Sequence, residues 1–550
     1  MFFPSLSTLI ALTVFYSLLF ALTRRPWTAL GMTFYALGFA VLSSFVKQAY
    51  LGVAMTLADV HFFLLRPVEN FHLFINYPLL GMSLVGVCLG FALCLIVGLR
   101  FERPVHLMAR PIVGGWLRIA TATAALLLGV GASLMASQQS QARVNDGDAY
   151  AAFQAMYEMQ HVGGVVSRIN VFFNNRSVEA TLPAELAQTR FTTPKSPTAE
   201  PFTGIRPDIF LILEESTFDA TLIRDCIPAD CDNTMLHPLT AAARTQQGPL
   251  LVHTTGGGTW LAEFAVMSGF DWRMFGRGGA YAPVSLAPRL HQSLPERLRA
   301  LGYRTVAIYP TDGNFLSAQS AYGYYGFDEF YAARDLNLPD DWQQTYDRVV
   351  FDKALHLAQR DDDPRPVFVF ALTIRNHGPH GEGNVPVPPA FRGTEHKNGA
   401  ELADYLSRMR DSSNDFSHLA ALWLKSARPR VIGWFGDHQP EAAWDFTQHP
   451  ERLHRDRMAT NVTENQYQYL TQYQMSANFG APDQNIARDA LDIAYLGTEL
   501  LSFAGLPLDA GESVSRELAA TCKGLMLDCA DRSLINDYLS YRIYQLGAVR

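Results

Sequence analysis

The sequence lacks a basic run long enough to follow a phosphate backbone, and its acidic residues outnumber its basic ones. The 52 Asp and Glu residues against 44 Lys and Arg residues give a formal net charge of −8 at pH 7. A nucleic-acid partner requires a positively charged surface, so the composition excludes that class of protein. The chain also has no internal repeat and no low-complexity tract, which excludes a repeat architecture.

Cysteine is scarce, with six residues in a chain of 550. Cys88 and Cys94 lie inside an apolar segment. The other four form two close pairs, Cys226 with Cys231 and Cys522 with Cys529. No CxxC spacing and no matching histidine pair accompanies them, so the pattern disfavours a zinc site. It favours two small disulfide-closed loops over free thiols, and disulfides would imply an oxidising compartment.

Long apolar runs are confined to the first quarter of the chain. A helix needs about 20 mainly apolar residues to cross the hydrocarbon core of a membrane. Four stretches meet this length, at residues 2–23, 27–46, 77–99 and 113–136. The first is not a signal peptide, because no basic residues precede it and further apolar stretches follow. We therefore expect an N-terminal α-helical transmembrane bundle of about four helices over residues 1–136.

Basic residues predict how this bundle is oriented. They flank the connections after the first and third stretches: Arg24, Arg25, Arg100, Arg103, Arg110 and Arg118. Cytoplasmic loops carry an excess of Lys and Arg, so both connections should face the cytoplasm and everything after residue 136 should lie outside it. Residues 51–65 are moderately apolar but contain Asp59 and His61, and we interpret them as an interfacial helix rather than a fifth span.

The rest of the chain predicts a linker and a large exported domain. Residues 137–206 contain a polar stretch, an amphipathic helix at 149–169 that could lie on the membrane surface, and a proline-rich linker. From residue 207, short apolar runs alternate with helical segments. The runs are DIFLILEES, TVAIYP, PVFVFALTI and RVIGWFGDH. Buried strands separated by helices are typical of an α/β fold with a mainly parallel central sheet, here over residues 207–550.

Polar residues follow these predicted strands, at the edge where α/β proteins form their sites. Glu214 and Glu215 end the first strand, and Asp437 and His438 end the last. Between the first two strands, three glycines precede Thr259 and a helix-like run. A carboxylate, a hydroxyl, an aspartate and a histidine make a plausible four-ligand site for Mn²⁺ or Mg²⁺, and an acceptable one for Zn²⁺.

A metal at this position would give Thr259 a chemical role. A bound metal lowers the pKa of coordinated water from about 16 to about 7, and the same polarisation would make a threonine alkoxide available to attack phosphorus. The N-terminus of the helix after the glycines would favour the anionic phosphoryl oxygens through its free N–H groups. The pattern therefore predicts phosphoryl transfer through Thr259.

The motifs LEES, GGGTW and GDHQP, in this order and spacing, resemble the alkaline-phosphatase/sulfatase superfamily over about residues 205 to 480. The most similar branch is that of the membrane-anchored phosphoglycerol transferases, which includes lipoteichoic acid synthases and the enzymes that decorate osmoregulated periplasmic glucans. The resemblance implies one divalent metal ion, with Mn²⁺ favoured and Zn²⁺ or Mg²⁺ possible. Its implied ligands are Glu215, Thr259, Asp437 and His438. It also implies that Thr259 is the nucleophile and that His377 contacts the substrate phosphate or donates a proton to the leaving group.

The chain departs from lipoteichoic acid synthases in one region, and some assignments stay open. Those synthases carry a histidine and an arginine after the strand that matches TVAIYP, and here Tyr309 and Ala318 stand near those places. Tyr309, Asp312 and Asn314 are therefore the candidate replacements. Further candidate substrate contacts are Arg273 and Arg277, in a glycine-rich loop after the nucleophile helix, and Asn376, beside His377. The two arginines are equally compatible with a solvated role, Glu214 competes with Glu215, and Thr255 competes with Thr259.

The expected reaction is a two-step transfer of a phospholipid headgroup phosphate, with release of diacylglycerol. By resemblance, phosphatidylglycerol is the first choice of donor and phosphatidylethanolamine the second, and the acceptor is a glycan or lipid outside the cytoplasm. The enzyme would then be a multi-pass protein of the inner (plasma) membrane with its catalytic domain on the periplasmic side. A phosphodiesterase or phosphatase of the same fold is the competing hypothesis. Sulfatase activity is disfavoured, because those enzymes need a C/S-x-P-x-R motif and Thr259 is followed by Trp-Leu-Ala-Glu.

Overall fold

The computed structural model describes residues 6–51, 54–60, 78–105, 164–174, 179–191, 202–224, 226, 228–339, 341–342, 345–359, 363–381 and 399–550. The chain forms two compact units. The first comprises Met1–Thr181 with Phe275–Gly278, and the second comprises Leu182–Met274 with Gly279–Arg550.

The first unit is helical wherever the predicted apolar stretches are described. Its helices are α1 (Leu6–Thr23), α2 (Pro26–Leu51), α3 (Pro78–Phe101) and α4 (Val165–Asn174). Within the described ranges, Pro26–Phe45 is long and apolar enough to cross a membrane, and Thr8–Thr23 and Val85–Phe101 are shorter apolar helices. The fourth stretch, 113–136, lies outside the described residues. So do residues 52–53 and 61–65 of the predicted interfacial helix and residues 149–163 of the predicted linker helix. The four-helix bundle therefore stays a prediction.

Hydrogen bonds join the two arginine-rich connections at one end of the first unit. The Glu102 carboxylate, just after α3, accepts from the backbone N–H groups of Trp27 and Thr28 at 2.9 and 2.7 Å. These bonds satisfy free donors at the start of α2. Near the opposite end of α1, Thr8 Oγ1 donates to Asn170 Oδ1 of α4 at 2.9 Å. The connections that we expect to face the cytoplasm thus lie together and away from α4.

The second unit is built around a nine-stranded sheet within the described residues. Its strands are β1 (Asp208–Glu214), β2 (Arg244–Leu251), β3 (Arg304–Tyr309), β4 (Glu329–Ala332), β5 (Val367–Leu372), β6 (Arg430–Gly436), β7 (Leu470–Ala477), β8 (Asp483–Ile486) and β9 (Leu491–Asp492). The strand order is β4-β3-β5-β1-β6-β7-β2-β8, and β9 pairs with β2. The four predicted strands are neighbours in this order, as β3-β5-β1-β6.

The sheet is mainly parallel, which confirms the predicted α/β fold class. Strand β1 pairs in parallel with β5 and β6, and β3 pairs in parallel with β4 and β5. Strand β7 is the exception, because it runs antiparallel to both β6 and β2. All residues of β1 and β5 are buried, as expected for parallel strands covered on both faces.

Helices follow or connect most of these strands. In the second unit they are α5 (Pro228–Cys231), α6 (Thr259–Ser268), α7 (Ala282–Ser285), α8 (Leu294–Ala300), α9 (Ala318–Tyr324), α10 (Asp347–Ala358), α11 (Gly399–Leu424), α12 (Trp444–Thr447), α13 (Leu496–Phe503), α14 (Ala510–Thr521) and α15 (Arg532–Ser540). Helices α10 and α11 cover one face of the sheet, where the Phe210 ring of β1 lies 6.5 Å from Phe351 and 5.4 Å from Trp423.

Both predicted disulfides are present. Cys226 pairs with Cys231 and Cys522 pairs with Cys529, while Cys88 and Cys94 are free. The bridged cysteines are only 5 and 7 residues apart in sequence, so each disulfide constrains a local turn.

Candidate active site

The carboxyl ends of β1 and β6 bring three of the predicted ligands together. The two strands are parallel and in register, with Glu214 opposite Gly436. Glu215, Asp437 and His438 therefore leave the sheet at the same edge, and their candidate ligand atoms lie within 4.8 Å of one another. All three side chains are buried.

A glycine loop brings Thr259 to the same edge. Gly256 and Gly258 have φ values of +71° and +91°, a region that favours glycine. The Gly256 N–H donates to the carbonyl of Gln439 at 3.0 Å, which ties the loop to the end of β6. A Cβ on Gly256 would lie 2.2 Å from Cζ2 of Trp444, so a side chain there would displace the loop. Thr259 is then the first residue of α6.

The Thr259 hydroxyl faces the carboxylate and imidazole groups of this cluster. Its Oγ1 lies 3.3 Å from Glu215 Oε2 and 3.5 Å from His438 Nε2. His438 Nε2 is also 3.4 Å from Glu215 Oε1 and 3.1 Å from Asp437 Oδ2. The side chains of the four predicted ligands thus converge, and the histidine nitrogen that faces the other three is Nε2.

Neighbouring hydrogen bonds orient Asp437 and His438 and leave one atom of each available to a metal. Asp437 Oδ1 accepts from the backbone N–H groups of Ser216 and His438 at 2.9 and 2.8 Å, whereas its buried Oδ2 has no hydrogen-bond partner. His438 Nδ1 lies 3.1 Å from the Gln439 carbonyl, so Nδ1–H donates there and Nε2 keeps its lone pair. This is how metal-binding histidines are commonly held.

The two buried carboxylates of the cluster favour the binding of a cation. Burial and repulsion from Asp437 raise the pKa of Glu215 to about 8, although the nearby His438 works against this shift. Two carboxylates and an imidazole without a compensating charge are costly in a buried site. The orphaned Asp437 oxygen and this donor set fit a divalent metal ion. An oxygen-rich set with one imidazole suits Mn²⁺ or Zn²⁺ well.

The geometry separates the two pairs of competing candidates. Glu214 Oε2 accepts from the Thr373 hydroxyl at 3.1 Å, and Glu214 is not part of the converging cluster, whereas Glu215 is. The Thr255 hydroxyl accepts from Trp444 Nε1 at 2.8 Å, while Thr259 faces Glu215 and His438. The structure therefore favours Glu215 and Thr259.

His377 lies after β5 and is half-buried. Its Nδ1 is 2.6 Å from the Gly378 carbonyl, so Nδ1–H donates there and Nε2 can accept a proton. Its ring centroid lies 4.9 Å from that of Trp342. Burial lowers the pKa of His377, so the imidazole is neutral at pH 7. His380 lies farther inside, with its Nε2 3.0 Å from the Asn376 carbonyl.

Three of the remaining predicted substrate contacts have partners of their own in the described residues. Arg273 makes a bidentate ion pair with buried Asp271, with Nε–Oδ1 and Nη2–Oδ2 distances of 2.9 and 2.6 Å. Asn376 is fully buried and donates from Nδ2 to Ser412 Oγ at 3.2 Å. Tyr309 is 5% exposed and packs on aromatic rings. Their roles in substrate binding stay predictions.

Arg277 and the residues after β3 give less information. Arg277 lies in Phe275–Gly278, the short segment that belongs to the first unit. Asn314 Nδ2 donates to Asp312 Oδ1 at 3.0 Å, which forms a local turn after β3. The roles of these three residues also stay predictions.

Sequence reasoning missed two buried features near the site. Glu263 lies four residues after Thr259, and therefore on the same face of α6, and burial raises its pKa to about 8. The helical spacing from Thr259 is a sequence signal that could have identified it. The second feature is a cluster of His253, Asp271 and Asp492. Its members come from distant parts of the chain, so no local pattern identifies it.

Comparison with known proteins agrees with this fold. Residues 207–474 match the family model for sulfatases, which confirms the predicted resemblance to the alkaline-phosphatase/sulfatase superfamily. The chain is 30% identical over 364 residues to a protein described as uncharacterized from Haemophilus influenzae, covering 62% of each chain. It is 24% identical over 323 residues to a putative cyclic beta-1,2-glucan modification protein from Rhizobium meliloti. That match covers 54% of this chain and 46% of the relative, so the chain matches about half to two thirds of these relatives' lengths.

Three solved structures are also similar to part of the chain, at low sequence identity. The phosphoglycerol transferase GacH from Streptococcus pyogenes is 16% identical with a TM-score of 0.46, over 62% of this chain and 89% of that chain. The lipoteichoic acid synthase LtaP from Listeria monocytogenes is 15% identical with a TM-score of 0.41, over 58% and 76%. The periplasmic domain of EptC from Escherichia coli is 15% identical with a TM-score of 0.37, over 58% and 88%.

Proposed function

We propose that this protein is a metal-dependent phosphotransferase that moves a phospholipid headgroup phosphate, through Thr259, to an acceptor outside the cytoplasm. The observation that carries this proposal is the position of the Thr259 hydroxyl. It lies at the first turn of α6, 3.3 Å from Glu215 and 3.5 Å from His438. A nucleophile beside a metal cluster and at a helix N-terminus is suited to attack an anionic phosphate.

Glu215, Thr259, Asp437 and His438 would hold one divalent ion, with Mn²⁺ favoured and Zn²⁺ or Mg²⁺ as alternatives. Such an ion would lower the pKa of the threonine hydroxyl and neutralise charge on the phosphoryl oxygens. The backbone N–H groups at the start of α6 would bind the same oxygens. Asp437 and His438 are oriented for this role by their hydrogen bonds to Ser216 and Gln439.

The reaction would proceed in two displacements. In the first, Thr259 Oγ forms a bond to the donor phosphorus, the bond from phosphorus to the diacylglycerol oxygen breaks, and the threonine proton ends on that oxygen. In the second, an acceptor hydroxyl attacks the phospho-threonine, the bond to Thr259 Oγ breaks, and the acceptor proton returns to the threonine. Each step exchanges one P–O bond for another, so no further reactant is required.

His377 is the proposed carrier of these protons. The imidazole is neutral because burial lowers its pKa, and its Nδ1–H donates to the Gly378 carbonyl. Nε2 can therefore take a proton from one oxygen and give it to another, which is general acid and base catalysis. Contact of Nε2 with a phosphate oxygen would instead require a proton on Nε2.

Phosphatidylglycerol is the proposed donor, because the LEES, GGGTW and GDHQP motifs resemble phosphoglycerol transferases. A glycan acceptor is supported by the Rhizobium meliloti relative, which is named for modification of a cyclic glucan. Phosphatidylethanolamine is the second candidate donor. The apolar helix Pro26–Phe45 supports a membrane anchor, which would hold the domain beside a lipid substrate at the periplasmic face of the inner membrane.

The test is to detect the covalent intermediate. The full chain in detergent is incubated with Mn²⁺ and headgroup-labelled phosphatidylglycerol or phosphatidylethanolamine, and the intact mass and the Thr259 peptide are measured. A glycerophosphate or ethanolamine-phosphate adduct on Thr259 would identify the donor and the nucleophile. Thr259→Ser should still form the adduct, and Thr259→Ala should not.

The same experiment separates transferase from hydrolase. Adding a glucan should move the label from the protein to the glucan if the protein is a transferase, and to water if it is a phosphodiesterase or phosphatase. No adduct from either lipid, with metal bound to folded protein, would contradict the proposed donors.

A further inference from the structure

His253 joins the chain segments on the two sides of the nucleophile helix α6. It lies shortly after β2, in the approach to Thr259, whereas Asp271 lies shortly after the end of α6. The His253 Nδ1 atom is 3.5 Å from Asp271 Oδ1, and its Nε2 atom is 2.9 Å from Asp492 Oδ1, in β9. All three residues are buried, with exposed fractions of 3% or less. One imidazole ring therefore contacts the segments that enter and leave the nucleophile helix.

The two carboxylates that face this ring are themselves held in place. Asp271 makes the bidentate ion pair with Arg273. The backbone N–H of Asp492 donates to the carbonyl of Gly524 at 2.7 Å, and Gly524 lies in the disulfide-closed loop 522–529. Buried hydrogen bonds of this kind are costly to break. The two carboxylates can therefore hold the His253 ring in one orientation.

The chain between His253 and Thr259 has little rigidity of its own. It contains three consecutive glycines, the residue with the greatest backbone freedom. The Gly256 N–H donates to the Gln439 carbonyl at 3.0 Å, which restrains the middle of this loop. His253 restrains its beginning. A displacement of about 1 Å in a reacting atom can slow an enzymatic reaction about 100-fold, so the restraint at His253 matters for the position of the Thr259 hydroxyl.

We propose that His253 is a positioning residue for the nucleophile. By bridging Asp271 and Asp492, it fixes both ends of the segment 253–271 and holds the Thr259 hydroxyl at the metal cluster. It acts through Thr259 and not by contact with the phosphate. This inference rests on the proposed function, because it assigns His253 to the same attack on phosphorus.

The first test needs no substrate. Hydrogen–deuterium exchange is measured in the full chain in detergent, in peptides that cover residues 253–262. His253→Ala should raise exchange there at least about tenfold, because local opening of the start of α6 becomes easier. His253→Gln keeps an amide donor for Asp492 and should raise exchange less.

A matched control separates positioning from a general loss of stability. Arg304 begins β3, at the sheet edge opposite the site, and its buried side chain pairs with Glu329 at 2.9 Å. Arg304→Met should lower the unfolding midpoint, as His253→Ala should, because both variants leave a buried carboxylate without a partner. It should leave exchange in residues 253–262 unchanged.

The second test measures how fast the adduct forms on Thr259 in a single turnover, per folded molecule. His253→Ala should lower this rate about 100-fold, with the half-saturating donor concentration and the Zn²⁺ affinity unchanged. His253→Gln should lower it only about tenfold. Adding Asp492→Ala to His253→Ala should cause little further loss, because both residues act through one contact. Arg304→Met should keep the full rate, which a purely structural role for His253 would also predict for His253→Ala.

Unchanged exchange in folded His253→Ala would overturn the proposal, and so would faster exchange with an unchanged rate of adduct formation. If His253→Ala does not fold, His253→Gln decides by the same two measurements, with the smaller changes given above. An unaltered protein that forms no adduct would contradict the proposed function instead. Exchange alone would then decide whether His253 holds α6.

Discussion

Two buried clusters in the second unit have the same composition, one histidine and two carboxylates, but different geometry. The first is Glu215, Asp437 and His438, and the second is His253, Asp271 and Asp492. In the first, the imidazole directs one nitrogen to a backbone carbonyl and the other to both carboxylates. In the second, each ring nitrogen faces a different carboxylate, with Nε2 2.9 Å from Asp492 and Nδ1 3.5 Å from Asp271.

The source of positive charge explains the difference. Burial alone would raise the pKa of Asp271, but the charges of Arg273 and His253 outweigh burial and lower it. For Glu215, burial and Asp437 raise the pKa to about 8, and Arg and Lys ion pairs are absent from this cluster in the described residues. A protein-supplied cation thus completes one cluster, and the other is left to bind a metal. Residue composition alone does not distinguish the two.

The largest effect should come from removing the nucleophile beside the first cluster. Thr259→Ala should lower transfer at least about 10⁴-fold, because it removes the hydroxyl that attacks phosphorus. Thr259→Ser, which keeps a hydroxyl, should retain measurable activity. Transfer of labelled headgroup to a glucan measures both, and the unfolding midpoints should match that of the unaltered protein. Full activity in Thr259→Ala would contradict the mechanism.

Removing the arginine of the second cluster should cost stability rather than metal. Arg273→Met leaves Asp271 buried without its bidentate partner, and we expect a loss of about 4 kcal/mol in the free energy of unfolding. Arg273→Lys should recover part of it. Denaturant unfolding followed by tryptophan fluorescence gives the values. Unchanged stability in Arg273→Met would mean that the cluster does not depend on this ion pair.

Matched substitutions of one carboxylate in each cluster compare their metal binding directly. Asp437→Asn should weaken Zn²⁺ binding by at least about 100-fold, because it removes a charged ligand. Asp492→Asn should leave Zn²⁺ affinity unchanged. Titration of the chelated full chain with Zn²⁺ measures both. Equal losses in the two variants would show that both clusters bind metal.

The smallest predicted effect concerns Glu263, the buried carboxyl on the nucleophile helix. Its pKa is raised by burial to about 8 in the folded protein, so the folded state holds a proton that the unfolded state releases near pH 4.5. Stability should therefore fall as pH rises from about 5 towards 8. Between pH 5 and 7 the unaltered protein should lose about 2 kcal/mol in its free energy of unfolding through this group. Glu263→Gln should abolish that loss. Unfolding curves at several pH values check it, and parallel slopes in the two proteins would exclude an uncharged Glu263.

Continuous apolar runs made the central strands predictable. DIFLILE and VFVFAL are buried along their whole length as β1 and β5. The strands that sequence reasoning missed have no such run. β2 reads RTQQGPLL and β8 reads DQNI with every residue exposed. These strands owe their conformation to pairing with neighbours, which a local pattern does not contain.

The candidate site was predictable only in part, for a related reason. Thr259 was recognisable because glycines and a helix N-terminus are local features. The motif resemblance favoured Glu215 over Glu214, but only the structure shows that the Glu215 carboxylate faces Thr259. Arg273 was a reasonable phosphate contact in a glycine-rich segment, although Asp271 two residues earlier was a sign of a local ion pair. His253 and Asp492 are 239 residues apart in sequence, and only folding brings them together.

The sequence by itself determined the α/β class, the four central strands and the polar residues that end them. These features follow from local hydrophobicity and backbone preferences, which each segment carries alone. Only the tertiary structure decided which buried carboxylates are neutralised by a charged side chain of the protein and which are left to a cation from solution. Electrostatic neutralisation acts through space over a few ångströms, so it depends on which distant residues meet in the core. Asp271 meets Arg273 and His253 there, whereas Glu215 and Asp437 meet each other.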